Sequence, residues 1–194
     1  MSPIIKVCGM RDTENIRAVD GLPVDLMGFI FWPKSSRYVS VRPAYLPSKC
    51  KRVGVFVDED IEVVKKMAQD YALDYIQLHG KESPDYLRGL RSVCGNSITT
   101  IKAFNIATAE DFDQTAPYEG LADYFLFDTK GKSVGGNGTT PFILSGGIGP
   151  DDAERVRAFH HPKCIGIDLN SRFELAPGLK DITALQTFFN ELKT

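Results

Sequence analysis

Eight short apolar runs rich in β-branched and aromatic residues recur along this chain: Ile4 to Cys8, Leu26 to Phe31, Arg52 to Val57, Tyr75 to Leu78, Thr99 to Ala103, Tyr124 to Asp128, Phe142 to Ser145 and Cys164 to Asp168. Such runs read as buried strands. Their starts lie 18 to 26 residues apart, room for one strand, one helix and two short loops. Helical patterns occupy most of the gaps: Thr13 to Val19, Ile61 to Tyr71, Ser83 to Val93 opened by Ser-Pro, Ala107 to Thr115, Pro150 to Phe159 and Thr183 to Leu192. The second gap, with Pro43 and Pro47 around Ala-Tyr-Leu, offers a shorter helix. Strands alternating with helices imply a parallel sheet. Eight such units in 194 residues favour an α/β fold of the closed (β/α)8 barrel type, a single domain over residues 1–194, rather than a doubly wound open sheet.

The sixth gap breaks the pattern. Between Asp128 and Phe142 lie 13 residues, mostly glycine, polar or proline, and no amphipathic helix can be written there. The sixth helix is expected to be missing or disordered, with residues omitted near Gly138 to Thr140.

Composition narrows the function classes. Net charge is -2, with both signs interspersed, so there is no electrostatic footprint for nucleic acid or an anionic membrane. No stretch approaches a membrane-spanning helix, and the N-terminus lacks the apolar run of a signal peptide. The four cysteines are scattered, without a C-x-x-C pair or a zinc-like His spacing, so neither a disulfide framework nor a structural metal is signalled. A cytoplasmic small-molecule enzyme, monomer or homodimer, is the expectation.

In a barrel of this type, chemistry belongs at the C-terminal strand ends. Cys8 ends the first strand and could act as a base if neighbouring cations favour its thiolate, although a structural cysteine is the plain alternative. Asp128 closes Tyr-Phe-Leu-Phe, and carboxyl groups set against aromatics tend to serve as general acids. Arg37, in the loop after the second strand, could hold a carboxylate by a bidentate contact. His79 is a second-rank base or substrate contact. Gly146 and Gly147 after the seventh strand, with Asn170 and Ser171 after the eighth, match the usual phosphate site of barrels.

Together these residues resemble the phosphoribosylanthranilate isomerase family. The likeness rests on Ile5-Lys6-Val7-Cys8-Gly9-Met10, Ser35-Ser36-Arg37-Tyr38-Val39, Gln77-Leu78-His79-Gly80-Lys81-Glu82, Asp128-Thr129-Lys130, Gly135-Gly136-Asn137-Gly138, Leu144-Ser145-Gly146-Gly147 and Pro177-Gly178 with Lys180-Asp181. The resemblance implies an Amadori rearrangement in tryptophan biosynthesis without metal or cofactor, on a phosphorylated small molecule. It implies Asp128 as general acid, Cys8 as general base, Arg37 at the anthranilate, and Gly146, Gly147, Asn170 and Ser171 at the phosphate. One departure stands out: Gly138 runs directly into Thr-Thr-Pro-Phe, where the family usually continues with a basic residue and a helix start.

Overall fold

The computed structural model describes residues 3–129 and 138–193. Eight parallel strands close into a barrel in the order β1 to β8: Ile4–Val7, Leu26–Ile30, Lys51–Phe56, Tyr75–Leu78, Thr99–Asn105, Tyr124–Asp128, Phe142–Ser145 and Cys164–Leu169. β8 pairs back onto β1, which excludes the doubly wound alternative. Observed strands match the apolar runs to within two residues at each end.

Side-chain alternation divides the apolar residues into two cores. Leu26, Val53, Val55, Ile101, Ala103, Leu126 and Ile143 pack inside the barrel with Cys8. Their strand neighbours, among them Met27, Phe29, Ile76, Leu78, Phe125 and Phe127, pack outward beneath the helices. On β8 the register against β7 slips by one residue, Phe142 facing Cys164 and Ile143 facing Gly166. That bulge at Ile165 rephases the strand, so Asp168 turns inward opposite Lys6.

Helices α1 (Thr13–Asp20), α2 (Ile61–Asp70) and α3 (Pro84–Cys94) begin where side chains can cap them. Asp12 accepts from Asn15 N at 2.8 Å, Asp60 from Glu62 N at 2.8 Å, and Ser83 from Tyr86 N at 3.2 Å. α4 (Ala153–Ala158) follows a 3-10 turn at Pro150–Asp152, and α5 (Ile182–Lys193) closes the chain.

Two expectations need correction. No helix forms in the second gap. There the buried Asp20 carboxylate accepts from Tyr45 Oη at 2.5 Å, Ser48 N at 3.0 Å, Lys49 N at 3.1 Å and Cys50 N at 3.3 Å. Those amides bond to one side chain instead of to a helical ladder. The fourth helix is a 3-10 helix, Ala109–Tyr118. Asp111 Oδ2 accepts from both Ala107 N and Thr108 N at 2.8 Å, and Thr115 Oγ1 donates to Phe112 O at 2.7 Å, tightening the segment. A two-stranded hairpin, β9 (Glu174–Ala176) and β10 (Leu179–Lys180), follows β8.

The expectation of a missing sixth helix falls mainly on 130–137, outside the described residues; residues 129 and 138–141 carry no helix. The outer flank there is nevertheless apolar and buried. Phe127 meets Phe112 edge-on at 5.1 Å and Phe142 at 4.8 Å, and Phe142 meets the His161 ring at 5.0 Å. Glu119 ties down the start of β7 by accepting from Thr140 N at 3.0 Å and Thr140 Oγ1 at 2.7 Å.

Candidate active site

The C-terminal strand ends gather the expected residues around one mouth, and beneath them lies a charged layer that pattern reading missed. Lys6 has no exposed surface. Its Nζ lies 2.9 Å from Asp168 Oδ1, across the β1–β8 pair. Asp168 Oδ2 also accepts from Ser145 Oγ at 3.2 Å. Cys8, just past β1 and on the same inner face, is near enough to raise the proton affinity of Lys6 as well.

Cys8 is buried. Burial pushes its thiol up; Lys6 and Lys180 oppose that shift and Asp168 reinforces it. β2 makes room for the sulfur with a glycine: a Cβ on Gly28 would stand 2.6 Å from Cys8 Sγ. Gly9 turns the chain at φ +81°, and a Cβ there would stand 2.6 Å from Arg37 Cδ and 2.9 Å from Asn170 Oδ1. Gly9 and Gly28 therefore let the side chains of Cys8, Arg37 and Asn170 converge.

Arg37 is already paired. Its Nε lies 2.9 Å from Glu174 Oε1 and its Nη2 lies 2.6 Å from Glu174 Oε2. Glu174 also accepts from the buried Lys180 Nζ at 2.6 Å, and Lys180 reaches Asn170 Oδ1 at 2.9 Å. The hydrogen bond that Arg37 donates to Glu174 is the leading influence raising the Arg37 value. Nη1 makes no hydrogen bond among the described residues, so the fork is fixed on one side and open on the other. Two cations against one carboxylate leave this part of the mouth net positive.

His79 ends β4 half-buried. Burial lowers its value below the usual imidazole range, with Lys6 adding to the effect and Asp128 and Asp168 opposing it. The ring is therefore neutral at neutral pH, and its electrostatic partners place it among the charged groups of the mouth. Gln77 Nε2 lies 3.0 Å from His79 Nδ1. With Gln77 donating, the imidazole proton sits on Nε2. Behind this turn, Glu82 Oε1 accepts from Asp58 N at 2.9 Å and Gly80 N at 3.1 Å, and Glu82 Oε2 pairs with Lys102 at 3.2 Å. The His-Gly-x-Glu motif is thus a turn closed by its own glutamate.

Asp128 ends β6 half-buried, in register between Asn105 and Ser145. Directly beside it, after β7, Gly146 and Gly147 take positive φ of 95° and 72°, a tight turn that presents backbone N–H groups. Asn170 precedes the 3-10 turn Ser171–Phe173, where Ser171 is exposed. The short Pro150 turn lies next to this glycine pair, but its first amide is taken: Gly149 N donates to Asp152 Oδ2 at 2.7 Å.

Every residue singled out from sequence thus lies at the C-terminal end of the barrel. Lys6, Glu174 and Lys180 were not singled out for chemistry, and Asp168 entered only as the strand end beside the phosphate residues Asn170 and Ser171. Lys6 carried a usable signal, a lysine at an inward position of a buried strand.

Comparison with known proteins agrees with this arrangement. The family described as N-(5'phosphoribosyl)anthranilate (PRA) isomerase matches residues 5–191. N-(5'-phosphoribosyl)anthranilate isomerase of Phocaeicola vulgatus is 48% identical, with 98% of each chain covered. Its counterpart in Parabacteroides distasonis is 47% identical over 97% of this chain and 93% of its own. The first alignment spans 203 positions against 194 residues here, so it includes positions that this chain lacks. Among solved structures, monomers generated from the dimeric isomerase of Thermotoga maritima superpose with a TM-score of 0.84 at 26% identity, covering 99% of both chains. A phosphoribosyl anthranilate isomerase in complex with reduced 1-(o-carboxyphenylamino)-1-deoxyribulose 5-phosphate gives 0.81 at 26% identity, also covering 99% of both. By barrel, motifs and family match alike, the chain belongs to the N-(5'-phosphoribosyl)anthranilate isomerase family.

Proposed function

We propose that this chain isomerises N-(5'-phosphoribosyl)anthranilate to 1-(2-carboxyphenylamino)-1-deoxyribulose 5-phosphate, a step of tryptophan biosynthesis, with Asp128 as general acid and Cys8 as general base. The observation that carries the division of roles is their placement. Cys8 follows β1 and Asp128 ends β6, strands separated around the closed barrel, so a substrate in the mouth meets an acid from one side and a base from the other.

The chemistry follows from that arrangement. Asp128 protonates the furanose ring oxygen, the C1–O bond breaks, and the nitrogen lone pair forms a Schiff base. Cys8 then takes the C2 proton; the C–H pair becomes the C1–C2 double bond of an enolamine, which tautomerises to the ketone. General acid and base groups each contribute about two to four powers of ten in rate. Arg37, its fork fixed by Glu174, offers Nη1 to the anthranilate carboxylate. Neutral His79 offers an N–H at the same mouth. Gly146, Gly147, Asn170 and Ser171 receive the phosphate.

Among the described residues no helix is long and apolar enough to cross a membrane. A cytoplasmic enzyme, monomer or homodimer, is the working assignment. Incubation of the purified chain with phosphoribosylanthranilate, followed by loss of substrate fluorescence, tests the function. Turnover is expected. Tight binding of the reduced product analogue without any turnover would leave a binding protein instead.

A further inference from the structure

Lys6 is the group in the barrel interior for which the fold has least need. The inner core is otherwise mostly Leu, Val and Ile, and a buried ion pair is often worth no more to stability than apolar residues of similar volume. The ammonium nevertheless sits there without exposed surface, 2.9 Å from Asp168 Oδ1 and on the same inner face as Cys8, whose charge favours the protonated lysine. Asp168 is held in turn by Ser145 Oγ, the residue before the glycine pair.

A thiolate in a water-poor interior needs a fixed counter-charge. The charged groups that influence Cys8 come from four elements: Lys6 on β1, Asp168 on β8, Lys180 on β10, and Arg37 in the loop after β2. Lys180 and Arg37 already share Glu174. Lys6 is the cation on the strand of Cys8 itself, and its carboxylate partner lies opposite it in register on β8.

We propose that Lys6 is a positioning residue for proton abstraction, its ammonium anchored by Asp168 and shared with Cys8 so that the thiolate is held in place and balanced as it takes the C2 proton. The inference rests on Cys8 being the base. During the step the C2 proton passes to sulfur, the C2–H pair moves into the C1–C2 bond, and the Schiff-base π pair returns to nitrogen. No electrons leave the site. Lys6 keeps Asp168 as its partner throughout, so its charge is never stranded.

Lys6→Met alone would strand Asp168, so the informative pair is Asp168→Asn and the double variant Lys6→Met/Asp168→Asn. Both are titrated by NMR with 13Cβ-labelled cysteine, the Cys8 signal being assigned through Cys8→Ser, and circular dichroism verifies that each is folded. Adding Lys6→Met to Asp168→Asn is expected to move the Cys8 midpoint up by about one pH unit or more and to lower kcat about tenfold, with KM within about threefold. Under the same addition, an unmoved Cys8 midpoint, or a moved midpoint with unchanged kcat, overturns the proposal. The titration needs no substrate, so it reads Lys6 independently of turnover. Full activity in Cys8→Ser would instead remove the base assignment on which the proposal stands.

Discussion

Two lysines in this barrel are buried to the same extent and do different work. Lys102 on β5 points outward, between Ile101 and Ala103 of the inner core. Its Nζ donates to Gly80 O at 2.8 Å and Ala103 O at 3.1 Å, pairs with Glu82 at 3.2 Å, and lies 5.3 Å from the Phe104 ring centre. Every direction of that ammonium is used to close the turn after β4. Lys6 points inward, pairs with Asp168 and shares its inner face with Cys8, the proposed base. Their proton affinities diverge accordingly. Burial lowers that of Lys102 in spite of Glu82, whereas at Lys6 burial is outweighed by Asp168 and Cys8 and the value rises. On the roles proposed above, the buried charge whose contacts are all structural holds the scaffold, and the one beside Cys8 serves the chemistry.

The contrast can be broken first at Lys102. Lys102→Met leaves Glu82 as a buried unpaired carboxylate and frees two carbonyls, so unfolding in urea is expected to show a loss of about 3 to 5 kcal/mol. A loss below about 1 kcal/mol would mean that the clamp is ornamental. A second structural charge, Asp20, is read through acid. Burial opposes its ionisation, but donors from Tyr45, Ser48, Lys49 and Cys50 bring its value from 3.8 to about 2. The stabilisation is therefore complete above pH 3.8 and is lost as pH falls towards 2, an amount of roughly 2 kcal/mol. Asp20→Asn should remove that part of the acid limb, as read from urea midpoints between pH 6 and 2.

On the chemical side of the comparison, Glu174→Gln loosens the fork of Arg37 without removing it. KM is expected to rise about threefold to tenfold with kcat nearly unchanged, a cost of roughly 1 kcal/mol; an unaltered KM would mean that Arg37 needs no such support. The smallest effect belongs to Cys50. Burial, reinforced by Asp20, pushes its thiol to about 12. Cys50→Ser should leave kcat and KM within about twofold, as steady-state assays would read.

Local chemistry made much of this legible. The β-branched runs, Ser83-Pro84 and the glycine pair at 146 and 147 state their conformations within a few residues. Strand ends then follow, and with them Cys8, Asp128, His79 and Arg37. Long-range bonds are what sequence pattern could not supply. Lys6 meets Asp168 across 162 positions, and Arg37 meets Glu174 across 137. The inward turn of Asp168 depends on a one-residue slip between β7 and β8. The missing second helix has the same origin, because Asp20 captures amides 28 to 30 residues away. Sequence pattern suggests that Arg37 could hold a carboxylate by a bidentate contact, but not that Nε and Nη2 already bond Glu174.

The measurement closest to the centre of the account is the single-turnover rate of phosphoribosylanthranilate conversion for wild type, Cys8→Ser and Asp128→Asn at pH 7, with thermal melts recorded alongside. Opposed acid and base predict both variants slower by about two to four powers of ten at unchanged melting temperature. Either variant turning over within about threefold of wild type would contradict the assignment of that residue.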